Sequence, residues 1–133
     1  MGTATEEELR DFDQLLNAVL DNPDQVSQLV EERPQILESV NNSAETVLQW
    51  LALENHVSGI RLLHELGATI PDFALVHALE AGHVEALELM LTLGGSFGII
   101  DPYFALRNPV FELSMDKVKV LTGCLERHGV FDE

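Results

Sequence analysis

The sequence predicts an all-α protein built as a stack of about four antiparallel helix pairs, an α-solenoid. The first observation behind this is a recurring phrase. Arg61-Leu62-Leu63-His64-Glu65-Leu66-Gly67, Glu88-Leu89-Met90-Leu91-Thr92-Leu93-Gly94 and Gly123-Cys124-Leu125-Glu126-Arg127-His128-Gly129 end nearly alike, and Gln28-Leu29-Val30-Glu31-Glu32-Arg33-Pro34 echoes them. The closing residues lie 33, 27 and 35 positions apart, which is a repeat period. The second observation is that each phrase follows a shorter helix across a turn: Asn22-Pro23, Asn55-His56, Gly82-His83 and Lys117-Val118. A unit of this size cannot bury its apolar face alone, so neighbours must stack. Such a stack offers a surface for holding a partner, and the function class it implies is binding.

Residues 1–8 read as a flexible lead-in and 9–133 as one domain, divided approximately into repeats 9–42, 43–70, 71–98 and 99–133. The first pair is expected over Leu9–Leu20 and Pro23–Val40. Asn22 suits an N-cap and Pro23 a first helical position, where a missing N–H and a fixed φ do no harm. Val26, Leu29 and Val30 give helical spacing. Pro34 breaks that helix, and Ile36-Leu37 leads to a loop around Asn41-Asn42-Ser43. The second pair is Thr46–Glu54 and Val57–Leu66, closed by Gly67. The third is Phe73–Ala81, with Asp72 as N-cap, and Val84–Leu93, closed by Gly94; glycine supplies the left-handed cap. In the Ser96–Arg107 connection, Phe97, Ile99, Ile100, Tyr103 and Phe104 are too apolar for a free loop, and Asp101-Pro102 predicts a short helical turn. The fourth pair starts at Asn108-Pro109 and ends at Gly129. Leu29, Leu62, Leu63, Leu89, Met90 and Leu125 are the expected core.

Nearly half of the 133 residues are apolar, enough for a single folded domain with a continuous core. No apolar run approaches the roughly 18–20 residues of a membrane span. The polar, acidic stretch Met1–Arg10 reads as carrying no secretory signal. Glu6 stands where a myristoylation motif starting at Gly2 wants Ser or Thr. Asn41-Asn42-Ser43 is read as an accidental sequon. The lone Cys124 excludes an internal disulfide, and a reducing, cytoplasmic compartment is expected.

The net charge is −16, and no Lys or Arg lies between Arg61 and Arg107. The first 60 residues carry twelve carboxylates against two arginines. Such a field repels nucleic acid and anionic lipid and steers basic partners toward the chain. No direct nucleic-acid or membrane binding is expected. The competing explanation is that the charge serves only solubility and keeps the protein monomeric.

Little in the sequence argues for chemistry. Cys124 replaces a leucine and reads as a small buried hydrophobe; a reactive thiol would draw on Arg127 and His128. His64 also replaces a leucine, and His128 sits at a helix C-terminus, where positive charge is favourable. Zinc needs three or four converging ligands, and no H-x-x-x-H or cysteine pair seeds them, so no metal or cofactor is expected. There is no phosphate loop, G-x-S-x-G or dinucleotide fingerprint. Gly94-Gly95-Ser96-Phe97-Gly98 follows a helix and reads as cap and loop. No catalytic residue is assigned, and the expectation is a non-enzyme.

The pairs resemble ankyrin repeats over about residues 9–130. Thr46-Val47-Leu48-Gln49-Trp50-Leu51-Ala52, Asn55-His56 and Leu62-Leu63-His64-Glu65-Leu66-Gly67-Ala68 follow the family's T-P-L-H-x-A-A, G-H and L-L-x-x-G-A pattern best. The third repeat keeps Gly82-His83 and Gly94-Gly95 but has Phe73-Ala74-Leu75-Val76 in place of T-P-L-H. The fourth keeps Asn108-Pro109-Val110-Phe111 and Gly129. The short Ala68–Asp72 link leaves no room for a regular hairpin. The resemblance implies that His56 and His83 pack in the turns and hydrogen-bond to adjoining loops. It also implies a concave partner-binding face made by the first helices, with Asn17, Trp50, His77 and Glu112 outward and Asp21, Leu53, Glu54, Glu80, Ala81 and Met115 beside them. An aromatic next to a histidine and carboxylates is an anchor for an Arg- or Lys-bearing surface; the alternative puts Trp50 in the core. The expected function is an inhibitor, immunity-type or regulatory partner of a basic protein, a toxin or a nucleic-acid-binding factor, monomeric when unbound. The alternatives are a general adaptor or assembly protein, and a small enzyme or metal binder using Cys124 and the histidines.

Overall fold

The computed structural model describes residues 4–107 and 112–130. The expected helix start at Asn108-Pro109 lies outside them. Helix α1 (Glu6–Asp21) begins before the expected Leu9 because Thr5 and Glu8 form a capping box. Glu8 N–H donates to Thr5 Oγ1 at 3.1 Å and Thr5 N–H to Glu8 Oε1 at 3.3 Å, while Glu6, Glu7 and Glu8 sit at the positive end of the helix dipole. Residues 5–8 are therefore helix start and not lead-in, and Ala4 is already buried. Asn22 closes α1 through its backbone N–H to Ala18 and makes no side-chain cap for the next segment. A 3-10 turn at Pro23–Gln25 leads into α2 (Val26–Glu32), and Pro34 ends it as expected. A second 3-10 turn, Pro34–Glu38, buries Ile36 and Leu37. Arg33 returns to α1, pairing with the buried Asp11 and hydrogen-bonding Gln14.

The middle of the chain follows the sequence closely. Helix α3 (Val47–Leu53) opens with a Thr46–Gln49 capping box, and α4 (Val57–Glu65) follows the Asn55-His56 turn. Helices α5 (Asp72–Ala81) and α6 (Val84–Thr92) flank Gly82-His83. Asp72 is the first residue of α5 and does not cap it. Asn55 and Gly82 occupy the same turn position, and both are left-handed, with φ of 55° and 75°. Asparagine tolerates this region better than most residues, and glycine has no Cβ to clash. Gly67, Gly94 and Gly129 all have positive φ at the helix ends they were expected to close.

The last pair departs from expectation. Helix α7 (Pro102–Arg107) lies in the connecting segment, and α8 (Met115–Arg127) runs unbroken through Lys117-Val118. Neither residue suits a left-handed turn. Ser114 caps α8 instead, its Oγ accepting from Lys117 N–H at 3.1 Å. Helices α1, α3, α5 and α7 contact one another in succession, and so do α4, α6 and α8. Among the described residues there is no strand, only an isolated bridge between Val40 and Thr46. No described helix is long and apolar enough to cross a membrane.

Of the six expected core residues, Leu63, Leu89, Met90 and Leu125 are buried. Leu29 and Leu62 are only half-buried. In α4 the inward positions are Ile60 and Leu63, so Leu62, about 100° round the helix, falls on the flank. Val26 and Val30 displace Leu29 from the inward face of α2 in the same way.

Candidate functional site

Asn17 and Asp21 are exposed one turn apart on α1 and line a shallow hollow of about 280 Å³ with Gln14, Asn22 and Gln25. Trp50 on α3 is half-buried and packs against the core, so it is neither a fully presented anchor nor a core residue. Leu53 is half-buried and Glu54 exposed. On α5, His77 and Glu80 are half-buried, as is Ala81. The His77 Nδ1 is buried with no hydrogen-bond partner, and its ring tilts against Phe73 at 6.3 Å between centroids. Phe73 itself is 58% exposed, an apolar addition to this face that the repeat pattern did not single out. Asp21, Glu54 and Glu80 make no ion pair among the described residues. The contacts of α1 with α3 and of α3 with α5 put these residues on adjoining helices. Glu112 stands on no helix. It is exposed in the non-helical segment before Ser114, and Met115 opens α8, because the fourth turn expected at Lys117-Val118 does not form.

The turn histidines both bond, by different atoms. His56 Nδ1 accepts from Gly59 N–H at 3.0 Å and caps α4. A Cβ on Gly59 would lie 2.6 Å from that nitrogen and 2.9 Å from Val19, so glycine is what lets α4 approach α1. His83 Nε2 is 2.9 Å from the Leu53 carbonyl, which can only accept, so this nitrogen carries the proton. Asn55 reaches the same junction: its Oδ1 accepts from Ala86 N–H at 3.0 Å and its Nδ2 donates to Glu85 Oε1 at 3.1 Å. Backbone donors at the start of α6, then Asn55, hold the Glu85 carboxyl below its usual range.

A second cluster joins α6 to α8. Glu88 Oε1 accepts from Arg127 Nη2 at 2.7 Å, and Oε2 meets His128 Nε2. His128, then Arg127, lowers the pKa of Glu88 below the ordinary carboxylate value. Cys124 is fully buried beside them. Burial first, and the Glu88 carboxylate second, push its thiol up to about 11, which argues against a reactive thiol. The ligating atoms of Glu88, Cys124 and His128 all lie within 4.8 Å of one another. Two of the three stand at helical spacing in the sequence. Cys124-x-x-x-His128 puts both side chains on one face of α8 just as H-x-x-x-H would, whereas Glu88 arrives from another helix. An open cavity of about 680 Å³, bounded by Leu91, Phe97, Ile100, Pro102, His128 and Val130, lies alongside.

Comparison of the chain with protein-family models, with curated proteins and with solved structures finds no match.

Proposed function

We propose that this chain is a non-catalytic, ankyrin-like repeat module that captures a basic protein on the acidic outer side of its first helices. The observation that carries the reading is the set of carboxylates Asp21, Glu54 and Glu80, without an ion pair among the described residues, on or at the ends of the successive contacting helices α1, α3 and α5 of a chain with net charge −16. The ankyrin-like part is supported by the matching left-handed turns at Asn55-His56 and Gly82-His83 and by the glycine closures at 67, 94 and 129.

Unpaired, partly hydrated carboxylates act mainly through their long-range field, which raises association rates by roughly 10- to 1000-fold. The half-buried Trp50 and the exposed Phe73 supply apolar area for the docked state. A surface of this kind suits the cationic groove of a nucleic-acid-binding protein or nuclease-like toxin, and the role that follows is inhibition or regulation, as a cytoplasmic monomer. The test uses three baits against native lysate: wild type, Glu54→Lys/Glu80→Lys, and Glu31→Lys/Glu32→Lys. The two variants have the same net charge. Expected is a basic prey held by wild type and by the Glu31/Glu32 variant but lost from the Glu54/Glu80 variant. Equal losses from both variants would leave only global charge, and the solubility explanation would stand.

A further inference from the structure

We propose that Glu88, Cys124 and His128 form a three-ligand zinc site between α6 and α8. This stands independently of the partner-binding face. Three ligand types converge, one thiol, one imidazole and one carboxylate, with their ligating atoms within 4.8 Å of one another. In a tetrahedral zinc centre the ligands lie about 2.0–2.3 Å from the metal, which puts neighbouring ligand atoms roughly 3.3–3.8 Å apart. Modest side-chain rotations close that gap. Cys124 lies on α8 and His128, four residues on, is the residue that closes that helix, and α8 packs on α6, so the backbone already holds the frame.

The two oxygens of Glu88 divide the work. Oε1 is held by Arg127 at 2.7 Å, which orients the carboxylate as an outer-shell partner does in metal sites. Oε2 faces His128 and becomes the ligand when the metal takes the place of that hydrogen bond. Metal entry displaces the Cys124 thiol proton to water, the imidazole frees Nε2 for the metal by giving up the proton there and carrying one on Nδ1 instead, and Zn²⁺ is left balanced by one thiolate and one carboxylate. The mixed sulfur, nitrogen and oxygen set suits zinc and not magnesium or calcium, which take oxygen ligands. With three protein ligands, a fourth position remains for water, and the adjoining cavity is lined by His128 itself.

The test is a titration of chelator-stripped, full-length protein with Co²⁺ as an optical probe, followed by displacement with Zn²⁺. Expected are one equivalent of bound Co²⁺, a sulfur-to-cobalt charge-transfer band in the near ultraviolet, and its loss on adding Zn²⁺. Cys124→Ser should abolish the band. Glu88→Gln and His128→Gln should each weaken binding by at least about tenfold, and Arg127→Ala by about tenfold through the outer shell. Far-UV circular dichroism of each stripped variant checks folding. Should Cys124→Ser fail that check, Glu88→Gln carries the test, since its side chain is 38% exposed. No band in wild type, or Glu88→Gln binding as tightly as wild type, would mean that the cluster is only an ion pair beside a buried thiol and would overturn the site.

Discussion

Helix α6 is fastened to the chain on its two sides by opposite chemistry. Toward α3 and α4 the ties are neutral groups anchored on backbone: Asn55 to Ala86 N–H and His83 to the Leu53 carbonyl. Toward α8 they are side chains meeting on one carboxylate, with Arg127 ion-paired to Glu88 and His128 on its other oxygen. The first joint comes from the Asn55-His56 and Gly82-His83 turns, because a left-handed turn brings the next helix start within reach. The second joint lacks such a turn, since α8 runs through Lys117-Val118. One joint thus rests mainly on amide and backbone groups, with Glu85 as its one carboxylate, while the other rests on a carboxylate and an arginine and so responds more to pH and salt.

The largest expected effect bears on the apolar layer beneath both joints. Leu63→Ala should cost roughly 3–5 kcal/mol in urea unfolding, because Leu63 is fully buried. Leu62→Ala, half-buried on the flank, should cost about 1 kcal/mol. Equal losses would mean that α4 is rotated from the orientation described. Next in size is the neutral joint. Asn55→Ala removes two hydrogen bonds and forces alanine to a φ of 55°, for about 2 kcal/mol. Asn55→Gly keeps the turn and loses only the bonds, so its unfolding free energy should fall between alanine and wild type.

How far the sequence reaches follows the same division. Pairs α3–α4 and α5–α6 were legible to within a residue or so, since capping, turn and closing residues all agree there. At the ends local signals compete. The Thr5–Glu8 box outweighed the polar look of the first residues, and Ser114 captured a helix start that the repeat period had placed elsewhere. Of the expected face residues, Asn17, Asp21, Trp50, Leu53, His77 and Glu80 lie on the contacting helices α1, α3 and α5 and Glu54 closes α3, whereas Glu112 lies on no helix. The Glu88 cluster stayed hidden because it joins two helices, and repeat spacing speaks only for one.

The smallest stability effect belongs to the charged joint. Glu88 is 38% exposed, so Glu88→Gln should cost less than about 1 kcal/mol at neutral pH. Its carboxyl is depressed in the folded protein from an ordinary 4.5. That contribution is therefore fully present above pH 4.5 and is lost as pH falls through the lower, folded value. Urea unfolding of wild type and Glu88→Gln over a pH series should show two curves that converge on acidification. Curves that stay parallel would remove the charge dependence from the α6–α8 joint.

The most direct measurement of the binding face is the association rate of the protein captured by the wild-type bait. Glu54→Lys/Glu80→Lys should slow association by about tenfold and leave dissociation nearly unchanged, because these carboxylates act through the field and not through desolvated contacts. The dependence of that rate on salt should flatten with it. Glu31→Lys/Glu32→Lys, exposed on α2, changes the net charge equally and should matter far less. If both pairs slow association alike, the partner senses only the total charge, and capture on the first-helix face is contradicted.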